Sequence, residues 1–384
     1  MGIVPDPETP QELADQLRAA AVAKQAITLA GNSSKNRMAG PIAAAAQTIS
    51  TRALTRILQY EPQDLTISVE AGLPWRDLTR ALAANRQMVP LDPPFAANAT
   101  VGGVMAANCS GPRRRLYGSA RDLVIGMKFA TLEGKLVSAG GMVVKSVAGL
   151  DMAKLMIGSF GTLAAIAVVN FKVAPMPEIE RSFLLPYASL AEAIKVRDAV
   201  VNSVLQPSAI DLLNPEAGAT VGNRGWLLAI RAGGNAAVIE RYEREFAKLG
   251  EGMAFDDERQ ATLWSHVEEF TPRYLADRPN GAVVRASCTL KGLEAVMASF
   301  QGPAVARAGS GVCYGYFEES RAAQAWVADA AGRGWKAVIE YSRGDRDGSG
   351  LWPAPGNDFS LMQRMKNLFD PGNLLNRGRL YGRI

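Results

Sequence analysis

Histidine is nearly absent from this chain of 384 residues, which holds one, His266. It lies in Thr262-Leu263-Trp264-Ser265-His266-Val267, a helical-looking surface with no metal-ligand spacing around it, so chemistry that needs several imidazoles is excluded. Cysteine is scarce too. Cys109, Cys288 and Cys313 are odd in number, far apart and without a CxxC pair, which argues against a disulfide framework, a zinc site or an iron–sulfur cluster held by this chain alone and implies a reducing, cytoplasmic setting. No apolar run reaches the roughly 18 residues of a spanning helix, and the first residues lack the pattern of a secretory signal. Membrane association is therefore expected only through a partner.

Charge of one sign is also lacking: 42 Lys plus Arg stand against 37 Asp plus Glu. Apart from Arg113-Arg114-Arg115 and Arg377, Arg379 and Arg383, no basic concentration exists, which excludes a nucleic-acid stripe and leaves an anionic cofactor, substrate or partner. No G-x-G-x-x-G and no Walker sequence is present, and Gly309-Ser310-Gly311-Val312-Cys313-Tyr314-Gly315 has the wrong spacing and runs into a strand, so it reads as a turn.

What the chain does have is length for two cores and turns rich in small residues. Thr9-Pro10-Gln11-Glu12 reads as a capping box opening a helix that carries Leu13, Leu17 and Ala20 inward and ends near Gln25. A strand at Ile27 to Leu29 empties into Gly31-Asn32-Ser33-Ser34-Lys35. Another strand, around Ile67 and Val69, precedes a helix opened by Pro74-Trp75 that turns Leu78, Ala81 and Leu82 inward. Val124 to Thr131 and Leu136 to Ser138 read as a hairpin, Asp151 to Ile157 as a short helix capped by Gly158, and Ala167, Val169, Phe171 and Val173 as one face of a strand. Pro175 and Pro177 mark a domain boundary.

Beyond it, Ser189-Leu190-Ala191-Glu192 is a second capping box. A strand is expected at Trp226 to Arg231, and Asn235 is expected to cap a helix with Val238, Tyr242, Phe246 and Leu249 on one face. Strands at 283–289, 304–307, 312–317 and 336–341 with helices at 293–300 and 320–331 predict an α+β layout on an antiparallel sheet. The Gly- and Pro-rich run from Gly344 to Gly356 separates off the tail.

Taken alone, Gly31 to Ser34 reads as a surface turn. Set beside Ala99-Thr100-Val101-Gly102-Gly103 and Gly158-Ser159-Phe160-Gly161-Thr162, it is one of several N–H-rich turns able to wrap an extended anion. These segments, with Thr66 to Gly72, Trp75-Arg76-Asp77-Leu78, Asp122 to Gly126 and Leu163, resemble in order and spacing the FAD-binding (PCMH-type) domain of the vanillyl-alcohol oxidase family. Asp92-Pro93-Pro94, Ser110-Gly111-Pro112-Arg113-Arg114, Val144 to Asp151, Phe369-Asp370-Pro371 and Leu375 to Tyr381 narrow the resemblance to the E-type flavin subunits of bacterial glycolate oxidases. Ser146, Leu150, Ala164 and Arg377 depart from the usual Asn, Tyr, Gly and Pro.

The resemblance implies an α+β fold with an FAD domain over 1–176, a second α+β domain over 177–358, and a segment over 359–384 returning to the first. It implies FAD bound by Gly31, Asn32, Ser33 and Ser34 at the diphosphate, by Thr100, Val101, Gly102, Gly103 and Gly111, by Gly158, Gly161 and Thr162, by the backbone of Ile166 at the adenine, and by Asn376 from the tail. Gly102 is expected to lie against the cofactor with no room for a side chain. Relatives that attach FAD covalently use a histidine near the diphosphate loop or a cysteine before the Val-Gly-Gly turn, and this chain has neither, so non-covalent FAD is implied. The partners implied are a D-type flavin subunit and an iron–sulfur subunit, acting on a small 2-hydroxy acid. Because D-type subunits place several histidines and a carboxylate around a metal, the general base is expected on another chain. The alternatives are an assembly subunit with little catalysis of its own and a stand-alone FAD oxidoreductase with another substrate.

Overall fold

The computed structural model describes residues 5–142, 151–249, 252–255, 257–343 and 350–384. The chain divides into two units: residues 1–109, 119–175 and 344–384 form the first, and residues 110–118 and 176–343 the second. The motif Val144 to Leu150, with the departures Ser146 and Leu150, and part of the Gly344 to Gly356 run lie outside the described residues.

The first unit opens with helix Pro10–Val22. Thr9 is extended and its hydroxyl accepts the Glu12 amide at 3.1 Å, while the Glu12 carboxylate takes the Glu8 amide rather than that of Thr9. Only half of the expected box therefore forms, and the helix stops three residues short of Gln25. Its apolar face does what the spacing predicts: Leu13, Ala14, Leu17 and Ala20 pack against Ile27, Ile49, Leu54, Ala165 and Leu375. Each fully buried leucine contributes roughly 1.5–3 kcal/mol.

Ile27–Ala30 pairs in parallel with Gln47–Ser50. A five-stranded antiparallel sheet follows in the order Ile57–Glu61, Thr66–Glu70, Ala165–Lys172, Val124–Ala130, Leu136–Gly140. Ala165–Lys172 is its central strand, so Ala165, Ile166 and Val168 are buried along with the alternating Ala167, Val169 and Phe171. The hairpin between Ala130 and Leu136 turns through Gly134 at φ 78°.

One sequence expectation changes here. Val101–Ala106 is a short helix, not a turn, with Thr100 as its N-cap accepting the Gly103 amide at 3.4 Å. The Val101 and Gly102 amides donate to Leu73 O and Ala71 O, so the N–H groups of 101–103 are spent inside the protein.

The second unit is built on an eight-stranded antiparallel sheet, in the order Met253–Phe255, Ile179–Tyr187, Trp226–Gly234, Ala209–Leu213, Ala304–Arg307, Val312–Phe317, Ala282–Ser287, Lys336–Tyr341. The α+β reading with an antiparallel sheet holds. Ser189 and Glu192 complete both halves of the capping box on Leu190–Val201. In Ala236–Phe246 the buried face is Ile239, Tyr242 and Phe246, whereas Val238 is exposed. The stripe is one position off the expected one because Val238 occupies the first turn, over the open backbone of Gly234.

Candidate functional site

Of the three glycine-rich segments, one keeps its donors. In the Gly158–Thr162 segment the amides of Gly158, Ser159, Phe160 and Thr162 donate to Met105, Met156, Ala106 and Ser159 carbonyls. Among the described residues, no acceptor in the chain takes the amides of Gly31, Asn32, Ser33, Ser34 or Gly161. Asn32 and Ser33 are exposed and Gly31 and Ser34 half-buried, so these donors face solvent and are open to a ligand.

These donors stand at a cleft within the first unit that holds about 970 Å³ of empty space, part of it open to solvent. Its walls come from the Ile27–Ala30 strand and the loop after it, the Val101–Ala106 helix, the start of the Ala165–Lys172 strand and the tail. Gly31, Asn32, Ser33, Ser34, Thr100, Gly102, Gly103, Gly161, Ile166 and Asn376 line it.

The glycines are steric necessities. A Cβ on Gly31 would fall 2.3 Å from Thr100 Oγ1, and one on Gly161, at φ 71°, would fall 2.7 Å from Asn376 Nδ2. A Cβ on Gly102 would meet the Ala71 Cβ at 2.8 Å. The crowding at Gly102 thus comes from the protein's own backbone layer, a reason different from the close cofactor approach expected of it.

Asn376 joins the walls. Its Oδ1 accepts the Leu29 amide at 2.7 Å, its Nδ2 donates to Phe160 O at 2.7 Å, and its own amide donates to Ile27 O at 3.0 Å. Behind it, buried Lys366 donates to Thr162 O (2.8 Å), Leu375 O (2.9 Å) and the Asp370 carboxylate (2.6 Å). Burial pushes the Lys366 ammonium pKa down while Asp370 opposes the shift.

Four of the expected residues stand elsewhere. The Val101 side chain is buried in the core. Gly158 caps the Met152–Met156 helix at φ 83°. The buried Thr162 hydroxyl donates to Ser159 O at 2.7 Å, and Gly111 is in the second unit, where its carbonyl accepts the Arg114 amide. Conversely, Lys35, Phe160 and Arg379 line the cleft without having been singled out. Lys35 was visible only as a member of a longer motif and Arg379 only as part of a basic concentration, since nothing in the spacing tells a cation facing a cleft from one facing water.

The second unit holds its own ionisable cluster. Asp211 and Arg307 pair across adjacent strands, and Arg285 bonds Glu340 at 2.9 Å. Burial pushes the Glu340 pKa up against the opposing Arg285. His266 is half-buried, with Nε2 2.8 Å from Thr220 Oγ1. That hydroxyl already gives its one proton to Ala217 O, so Nε2 carries the imidazole proton.

Comparison with known proteins places this geometry. Residues 3–140 match the FAD binding domain family, and residues 354–380 match the C-terminal domain of FAD linked oxidases. Apart from residues 110–118, both matches fall in the unit that holds the cleft. In sequence this chain is 37% identical over 185 residues to glycolate oxidase subunit GlcE of Escherichia coli (strain K12), which is 48% of this chain and 52% of that protein. It is 30% identical over 161 residues to glycolate oxidase subunit GlcD of Bacillus subtilis (strain 168), 42% of this chain and 34% of that protein. A D-lactate dehydrogenase of Anaerostipes hadrus is 32% identical over 168 residues, 44% of this chain and 35% of that protein. The chain thus spans about half or less of the length of these curated relatives. In structure, an alkyldihydroxyacetonephosphate synthase superposes over 96% of this chain and 74% of its own at a TM-score of 0.71 and 18% identity, which fixes the fold as PCMH-type. FAD is the cofactor of the matched family, and the unclaimed amides beside the cleft fit its anionic diphosphate. Among the described residues no helix is long and apolar enough to cross a membrane, and no group of three or more His, Cys, Asp or Glu is placed to hold a metal.

Proposed function

We propose that the chain is the FAD-binding subunit of a 2-hydroxy-acid oxidase of the glycolate oxidase type, holding FAD without a covalent bond and passing electrons to partner chains, among them a D-type flavin subunit and an iron–sulfur subunit. The observation that carries this reading is the row of unclaimed amides from Gly31 to Ser34 along the cleft. Gly31, Asn32, Ser33 and Ser34 would hold the diphosphate, Thr100 and Gly103 would line its path, the Ile166 backbone would meet the adenine, and Asn376 would fix the wall beside Gly161. When bound, FAD supplies two-electron acceptor chemistry. The chain's own residues bind and orient the cofactor and narrow the access of water. Likeness to glycolate oxidase subunits and a D-lactate dehydrogenase supports a small 2-hydroxy acid as the substrate class.

Removal of hydrogen from a hydroxy-acid carbon needs a base for the hydroxyl proton, best with a pKa near the working pH. The only histidine is in the second unit, bonded to Thr220. We therefore place the base on a partner. In a second reading this chain oxidises a substrate alone, with a carboxylate or lysine of its own as the base.

Two measurements test this. The purified chain should show a flavin spectrum, and acid precipitation should leave the yellow colour in the supernatant; fluorescence that stays with the denatured chain on a gel refutes non-covalent binding. Anaerobic mixing of the FAD-loaded chain with glycolate or D-lactate should leave its absorbance unchanged, while the reconstituted complex bleaches. Rapid bleaching of the isolated chain overturns the partner-base reading in favour of the second.

A further inference from the structure

Cysteines are few and dispersed along the chain, yet the second unit brings two of them together. Cys313, in strand Val312–Phe317, stands opposite Ala286 of the antiparallel strand Ala282–Ser287. Cys288 follows that strand and prolongs the ladder, its amide donating to Gly311 O at 2.9 Å. Alternate residues of a strand share a face, so Cys288 lies on the face of Ala286 and diagonally across from Cys313. Its direct neighbour across the ladder is Gly311, which has no side chain to come between them. A Cβ there, at φ 71°, would fall 2.2 Å from Cys288 O. The Cys288 thiol donates to Gly311 O at 3.6 Å and accepts a hydrogen bond from the Cys313 thiol.

The two sulfurs differ in access and in surroundings. Cys313 is fully buried, whereas Cys288 is half-buried. Arg197, itself fully buried, reaches the turns that follow Cys288 and precede Cys313, donating to Leu290 O at 2.9 Å and Ala308 O at 3.0 Å. Its Nε lies 2.7 Å from the half-exposed Asp198 carboxylate. The hydrogen bond from Cys313 holds the Cys288 thiol below its usual pKa, against burial and with help from Arg197. The same hydrogen bond, with burial, pushes the Cys313 thiol up. The thiolate is the nucleophilic form, and reactive cysteines are partly exposed and close to positive charge. Cys288 meets both conditions.

We propose that Cys288 and Cys313 are a peroxide-oxidised thiol pair, in which Cys288 reacts and Cys313 resolves. The Cys288 thiolate attacks one oxygen of hydrogen peroxide; the S–O bond forms, the O–O bond breaks, and the departing hydroxide takes up a proton to leave as water. The Cys313 sulfur then attacks the Cys288 sulfenic acid, the S–S bond forms, and the hydroxyl leaves as water with the Cys313 proton. Two electrons pass from the thiol pair to the peroxide, and a dithiol reductant returns them. In a reducing compartment such a bond is transient and redox-sensing. The pair belongs to the second unit and needs no flavin.

The test uses the full chain, reduced, freed of reductant and treated with a few equivalents of hydrogen peroxide. Titration of the denatured product with a thiol reagent should show two of the three thiols lost, and peptide mass mapping should find the Cys288 and Cys313 peptides joined. Dithiothreitol should restore all of them. Cys313→Ser should stop the reaction at the Cys288 sulfenic acid, which dimedone traps, and Cys288→Ser should leave Cys313 reduced. If Cys313→Ser, at a fully buried position, fails to fold, the peptide map of the unaltered chain decides the case. A full complement of thiols after peroxide, Cys288 oxidised beyond sulfenic acid without a bond to Cys313, or a disulfide that includes Cys109 overturns the assignment. So does a dimedone label on Cys313 in Cys288→Ser.

Discussion

Among the described residues, every non-glycine residue with positive φ lies in the first unit, from Lys24 and Ser33 through Phe95, Asn108 and Phe160 to Asn376 and Tyr381; the second unit has none. A left-handed L-residue costs roughly 1–2 kcal/mol, less for asparagine. The second unit instead runs long strands in unbroken register, Ile179 to Tyr187 against Trp226 to Gly234. Three of the left-handed residues, Ser33, Phe160 and Asn376, line the cleft. Such strain persists only where the surroundings over-determine it, and it gathers where a backbone must face a ligand. The regular unit is held by its pattern, and the irregular one by specific bonds.

The largest expected effect is on the irregular side. Gly31→Val puts a side chain where even a Cβ lies 2.3 Å from Thr100 Oγ1. FAD binding should be lost by more than about 100-fold, equivalent to about 3 kcal/mol, while amide exchange in residues 176–343 stays as it was. Retained FAD affinity would show that the cleft is not the cofactor path.

Lys366→Met comes next. It leaves the fully buried Asp370 carboxylate without its cation and frees the Thr162 and Leu375 carbonyls. Breaking a buried ion pair costs about 3–5 kcal/mol. Hydrogen exchange should show that loss in peptides of the first unit only; an equal loss in both units would mean that the division into separately stabilised units is wrong.

Asn376→Ala should have a smaller effect of the same kind. It orphans the Leu29 amide and places alanine at φ 41°, for a loss of about 1–3 kcal/mol, with Asn376→Gly recovering the backbone part. Equal behaviour of the two variants would remove the backbone share from the account.

The smallest expected effect lies in the second unit and concerns pH. Burial, with Arg273 adding to it, holds His266 below its usual pKa of 6.5. A depressed histidine pKa favours the neutral folded form, so this contribution is full above the unfolded pKa and is lost as pH falls from about 6.5 through the folded value. Only one imidazole resonance set exists to follow by NMR, and it should titrate below the free value from a neutral form protonated at Nε2. A midpoint at or above the free value would contradict the burial.

Short-range chemistry was legible without coordinates. The caps at Thr9, Ser189 and Asn235, the hairpin at Leu132 to Lys135 and the strands at 304–307 and 312–317 follow from residue type and period, because their causes lie within a turn or two. Strands Ile179–Tyr187 and Ala209–Leu213 were missed. The first carries Glu180, Arg181, Ser182 and Pro186, whose polarity hides the period. Both owe their pairing to partners far along the chain.

By itself the sequence determined that the chain holds a single histidine and that small residues stand at 31–34, 102–103 and 161. Tertiary structure alone decided which of their amides remain available, since the donors of Val101 and Gly102 are consumed by carbonyls about 30 residues away in sequence, whereas those of Gly31 to Ser34 are not. It also decided that Asn376 and Arg379 meet a loop about 340 residues earlier. A hydrogen bond or a buried charge depends on where two distant segments come to rest, and no local spacing encodes that.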